Sequence, residues 1–192
     1  MRALIMTLLL GLAAAAQADA PAAGSGAAES LRYFDGRQWR PLWQSEHEIA
    51  EIAPANQAPA ASLGAGARLV QQRGGLRIWR LQDTPGAGVG RSLAGGDPAR
   101  FSPVFYLSPH GGARLVPRGN IVVRFFSARE PVELDAWAEA QGLRLIGKTS
   151  LPATYLFAAD TGMAAVHKAN DIQHSGKVHF AVPQWWREAY TR

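Results

Sequence analysis

Residues 120–182 read NIVVRFFSAREPVELDAWAEAQGLRLIGKTSLPATYLFAADTGMAAVHKANDIQHSGKVHFAV, and the hydrophobic spacing within them decides the fold. Residues 120–126 alternate, with Ile121, Val123 and Phe125 on one face, the period-two mark of a strand covered on one side. Over 130–141 the spacing becomes helical. Val132, Leu134, Trp137 and Ala138 line one side and Glu133, Asp135 and Glu139 largely the other, with Pro131 suited to a first turn and Gly142 just past the end. Two short strands are expected at 143–146 and 154–158. A second helix is expected over 162–174, capped by Asp160 or Thr161, with Met163, Val166, Ala169 and Ile172 as its buried stripe and Gly176 as its stop. Residues 178–182 form the last strand.

The order β-α-β-β-α-β, with two helices on one face of a four-stranded antiparallel sheet, describes a ferredoxin-like plait. The fold class is therefore α+β, with that domain over 101–183. Its first part, 101–107 and 113–116 around Pro109-His110-Gly111-Gly112, reads as a further hairpin. Upstream lies a smaller β-hairpin-rich region, 31–82. Aromatic residues flank Asp35-Gly36, and alternating residues flank Gly74-Gly75, as tight turns require. Residues 48–52 add a strand, and the Gly-rich stretch 83–100 is expected to link the two regions.

At the amino end, Arg2 precedes an apolar run and then small residues, the layout of a secretory signal peptide. Cleavage after Ala18 or after Ala20 fits the small-x-small pattern. Ala18 is favoured, since the other cut leaves Pro21 next to the scissile bond. Residues 19–30 then form a small-residue leader. The reading implies a periplasmic or secreted protein with no membrane attachment after cleavage. With no cysteine, a disulfide framework, a thiolate metal site and a Cys nucleophile are excluded. The net charge of +5 comes from residues spread thinly along the chain, without a basic run, so no nucleic-acid partner is expected.

The sharpest motif match is a decoy. Residues 142–149 (GLRLIGKT) satisfy G-x-x-x-x-G-K-T, but a phosphate-binding loop needs a strand before it and a helix directly after it. Here a helix precedes, and Ser150-Leu151-Pro152 follows. His167 and His174 share a helical face, but neither H-E-x-x-H nor G-x-S-x-G occurs. No metal, cofactor or enzymatic activity is expected. Six tryptophans are present; Trp39, Trp43, Trp79 and Trp137 read as core, whereas Trp185 and Trp186 follow the last strand.

Several short runs resemble, in order and spacing, the prosegment of a subtilisin-like serine protease. They are Ser102-Pro103-Val104-Phe105, then Leu115-Val116-Pro117 leading into residues 121–125, and Gly142-Leu143 after the first helix. Leu151-Pro152-Ala153-Thr154-Tyr155-Leu156 and Val178-His179-Phe180-Ala181-Val182-Pro183 complete the set. The chain carries no catalytic Asp, His or Ser motif of that family, so it resembles a free-standing prosegment: an external chaperone of a secreted subtilase in Gram-negative bacteria. The resemblance implies a monomer that binds one protease, templates the folding of its high-contact-order core and inhibits it. It further implies that the sheet docks on protease helices and that residues 184–192 lie as an added strand in the substrate cleft. The protease-binding residues are then Trp185, Trp186, Arg187, Glu188, Ala189, Tyr190, Thr191 and Arg192, with Arg192, or in another register Tyr190, in the specificity pocket. Each tryptophan buries roughly 150–250 Å², enough for an interface hot spot; equally, the pair could fold back on its own sheet, one to each face. The alternative function is an exported, non-enzymatic protein-binding module of the same fold with no protease client.

Overall fold

A computed structural model describes residues 31–52, 57–59, 63, 66–82 and 100–189 of the 192-residue chain. The expected signal peptide and leader, most of the Gly-rich linker, and Tyr190, Thr191 and Arg192 lie outside the described residues.

The fold is α+β, with a small amino-terminal hairpin and a larger sheet carrying two helices. The hairpin pairs β1 (Arg32–Phe34) with β2 (Trp39–Pro41). Its turn is closed by the Asp35 carboxylate, which accepts hydrogen bonds from the backbone N–H groups of Arg37 and Gln38, both at 2.9 Å. The larger sheet begins with β3 (Trp43–Ile52), β4 (Arg68–Arg73), β5 (Leu76–Arg80) and β6 (Phe101–Tyr106). It continues through β7 (Leu115–Arg124), helix α1 (Pro131–Ala140), β8 (Arg144–Lys148), β9 (Thr154–Ala158), helix α2 (Met163–His174) and β10 (Phe180–Arg187). The strand order is β4-β5-β3-β6-β7-β9-β8, with β10 on β7. Strands from either side of residues 83–100 thus share one sheet, joined where β3 pairs with β6.

β7 is the branching strand. One edge carries β10 along most of its length, from Leu115↔Arg187 to Arg124↔Phe180. The other edge meets β6 at Phe105↔Leu115 and then β9 from Asn120↔Ala158 to Arg124↔Thr154. Two expectations are corrected here. The strands expected at 113–116 and 120–126 merge into the single strand Leu115–Arg124, because Gly119 adopts φ +87 and lets the chain bend without ending the ladder. The last strand runs to Arg187 rather than Val182, because a register shift between Pro183 and Trp185 accommodates the proline.

The helices follow local chemistry. Pro131 occupies the first turn of α1, and Gly142, at φ +66, ends it. Gly142 N–H donates to the Glu139 carbonyl at 2.9 Å and Leu143 N–H to that of Ala138 at 2.8 Å, the paired bonds of a Schellman ending. Leu134 and Ala138 are buried and Trp137 packs beside them, whereas Val132, expected on that face, is 80% exposed in the first turn. At α2 neither Asp160 nor Thr161 supplies a side-chain cap. Gly162 is the N-cap at φ +72, and a Cβ there would lie 3.3 Å from Pro103 Cδ, so the helix starts where only a glycine passes under β6. Leu134 and Ala138 of α1 and Ala169 and Ile172 of α2 share one core with Ile121, Val123, Phe125, Tyr155, Phe157 and Ala181.

Gly119 tests the branching geometry. A Cβ there would meet the Ala159 carbonyl oxygen at 3.1 Å and Thr161 Cα at 3.2 Å. Gly119→Ala is expected to lower stability by about 2 kcal/mol, measured by urea denaturation, from the unfavourable φ together with this contact.

Candidate functional site

The end of β10 is where the protease-binding residues expected from sequence fall. Trp185 and Trp186 pair with Pro117 and Val116 of β7, so alternation sends their rings to opposite faces of the sheet. Trp185 packs edge-on to Tyr33, with ring centroids 5.0 Å apart, and to Phe105 at 6.1 Å, in a cluster that also holds Leu42, Leu115 and Val166. Trp186 lies against Ala50, Leu76, Ile78, Val104 and Val116. Each ring is therefore half-buried in the protein's own core. Arg187 is exposed, and its Nη2 donates to the Tyr33 hydroxyl at 3.4 Å. Ala189 is exposed beyond the strand.

Glu188 is held by a clamp that sequence reading missed. Its N–H donates to the Arg114 carbonyl at 3.0 Å, and Arg114 Nη1 donates back to both Glu188 carboxylate oxygens at 2.9 and 3.1 Å. Arg114 also grips Glu48, which is buried in β3: Nε to Oε2 at 2.7 Å and Nη2 to Oε1 at 3.0 Å. Arg80 Nη2 donates to Oε1 at 2.7 Å and the Tyr106 hydroxyl to Oε2 at 2.8 Å. Burial opposes ionisation of Glu48, but the bonds from Arg114, Arg80 and Tyr106 outweigh it and draw its pKa down from an ordinary 4.5 to about 2. Arg114 is shifted upward, first by its hydrogen bonds to Glu48. Burial and the bond to Glu48 raise the Tyr106 phenol.

A second buried carboxylate, Glu51, points to the opposite face. It accepts from Trp79 Nε1 at 2.9 Å, Arg77 Nη1 at 3.4 Å and Arg100 Nε at 2.9 Å. The guanidinium groups of Arg77 and Arg100 also donate to the carbonyls of Gln57 and Ala58, tying the 57–58 segment to the sheet. No local pattern announced either network, because the partners of Glu48 and Glu51 lie 26–66 residues away along the chain.

The remaining motifs and aromatic residues singled out from the sequence have definite positions. Residues 144–148 of the P-loop look-alike are strand β8. His174 stacks on Trp39 with ring centroids 4.5 Å apart, and Asn170 Nδ2 donates to the Arg32 carbonyl at 2.7 Å, together fastening the β1–β2 hairpin to α2. A groove of about 760 Å³ opens beside Glu48, lined by Trp43, Ser45, His47, Arg80 and Tyr106. Among the described residues no group of three or more His, Asp or Glu side chains is placed to hold a metal ion.

On the face of β10-β7-β9-β8 away from the helices, Val182, Val122 and Leu156 stand in register, each half-buried, with Ile146 of β8 at 46% exposure beside them. No described helix packs on this row, since the buried residues of α1 and α2 belong to the opposite face. No protein-family model, curated protein or solved structure matches this chain.

The native Glu48 carboxyl titrates below its unfolded counterpart. Its contribution to stability is therefore complete above about pH 4.5 and is lost as pH falls towards 2. The shift corresponds to about 3 kcal/mol. Glu48→Gln is expected to cost about 3 kcal/mol at pH 7 and to flatten the acid limb of the stability profile, read by denaturant titrations between pH 2 and 7.

Proposed function

We propose that this chain is an exported, non-enzymatic partner of a subtilisin-like serine protease, acting in trans as folding chaperone and inhibitor. In this reading residues 120–187 form a ferredoxin-like plait. The order β10-β7-β9-β8 with both helices on one side supports it, being the order 4-1-3-2 of a βαββαβ unit. The observation that carries the functional reading is the row Val182, Val122, Leu156 and Ile146, an apolar sheet face on which no described helix packs and which suits helices of a second protein.

In the proposed complex that face meets the protease, and the segment after Glu188 enters the substrate cleft as an added strand. Arg114 acts as a positioning residue. By clamping Glu188 it fixes the residue just beyond β10. Trp185 and Trp186 serve this arrangement from within the chain's own core, by making the base of the tail rigid, so less ordering entropy is lost on binding.

The test is inhibition of a subtilisin-like protease from the source organism by the full mature chain. Leu156→Asp and removal of residues 190–192 are each expected to weaken inhibition at least tenfold while circular dichroism stays unchanged. Absence of any effect of the intact chain on the activity or refolding of that protease overturns the proposal in favour of a binding module with a different partner.

A further inference from the structure

A pocket of about 560 Å³ lies between the tip of the β1–β2 hairpin and the end of β10, lined by Tyr33, Asp35, Arg37, Arg40, Leu107 and Arg187, with Pro41 at its side. Among the described residues its lining is unbalanced in charge, with three arginines and one carboxylate. Asp35 is already engaged: it accepts from Arg40 Nε at 2.7 Å and from two backbone N–H groups. Arg37 is exposed, and its guanidinium makes no hydrogen bond to a described residue. Among the described residues Arg187 donates to the Tyr33 hydroxyl alone, at the long distance of 3.4 Å. That hydroxyl accepts from Arg187, and its own proton has no acceptor among the described residues. Burial pushes the Tyr33 phenol up, so the proton is retained and available for donation. The remaining wall is apolar, formed by Pro41 and by Leu107, which is 46% exposed.

We propose that this pocket binds a small organic anion, with a carboxylate or phosphate head received by Arg37, Arg187 and the Tyr33 hydroxyl and an apolar body against Leu107 and Pro41. The planar guanidinium donors suit a two-oxygen head group. The size and the mixture of a few convergent polar groups with an apolar wall are those of a small-molecule site. The ligand would bridge the hairpin and the sheet, elements that are otherwise joined here by the Arg187–Tyr33 contact and the packing of Tyr33 on Trp185.

The experiment is a calorimetric titration of the full chain with benzoate, phenyl phosphate and inorganic phosphate, each at constant ionic strength. Saturable one-site binding of benzoate or phenyl phosphate is expected. It should be weakened about tenfold by Arg37→Gln and by Arg187→Gln, the loss typical of one charge-assisted contact. It should be unchanged by Arg129→Gln, whose guanidinium lies over Phe125. The preference between the two aromatic anions assigns the head group. Affinity for bare phosphate equal to that for its phenyl ester overturns the apolar wall's assigned role. Absence of saturable binding, or equal binding by the Arg37 and Arg187 variants, overturns the site. The titration involves no protease, so its outcome is independent of the chaperone reading.

Discussion

The pairing of β7 with β10 is the constraint on which the rest of the molecule depends. β7 belongs to two structures at once: its first residues pair with β6 and its last with β9, while β10 spans both parts along the other edge. The two halves consequently cannot adopt their registers independently. A shift of one residue would exchange the faces presented by Leu115 and Val116, and equally those of Trp185 and Trp186, whose rings fill separate clusters. The bend at Gly119 and the register shift after Pro183 are the local adjustments that let two long strands serve a sheet branching between them.

Buried ionic groups reinforce this arrangement at β3. Glu48 and Glu51 project to opposite faces of one strand, and each gathers arginines from distant segments. A carboxylate removed from water is tolerated only when its lone pairs are filled, and here they are filled by guanidinium, phenol and indole donors. Such networks favour one assembly of strands over alternatives, because any misregister strands a charge. Through Arg114 the Glu48 network also reaches Glu188, so the ionic core of the amino-terminal strands is tied to the residue that follows β10.

This coupling gives the functional proposal a physical form. A docking element needs a face with unsatisfied apolar area and a tail whose direction is set before binding. The half-buried row on β10-β7-β9-β8, on which no described helix packs, and the clamped Glu188 are the two features the proposal draws on, at different parts of the same spine. The hairpin, fastened to α2 by the Trp39–His174 stack, supplies most of the lining of the arginine-lined pocket beside Arg187.

The elements of residues 120–182 were legible in the sequence because their determinants are local. Alternation in NIVVRFF, Pro131 and Gly142 at the ends of α1, and the turn glycines at 36, 74 and 75 each act within a few residues. Where local rules misled, a tertiary contact prevailed: Gly162 rather than Asp160 or Thr161 caps α2 because β6 passes close, and β10 outruns Val182 because β7 offers it partners as far as Leu115. The candidate site was legible only in part. Trp185 and Trp186 stood out by composition, and Arg187 and Glu188 only through the resemblance, but their packing and ionic partners come from residues up to 154 positions away, such as Tyr33. The sequence alone determined the α+β class and the identity of most elements, since backbone propensity and hydrophobic period are properties of short segments. Only the tertiary structure decided that the hairpin region and the helical region share one sheet, that both tryptophans serve the core, and that Glu48 is bound by Arg114. Those outcomes depend on which distant groups meet, and burial of a charge or a ring has no energy until its neighbours are in place.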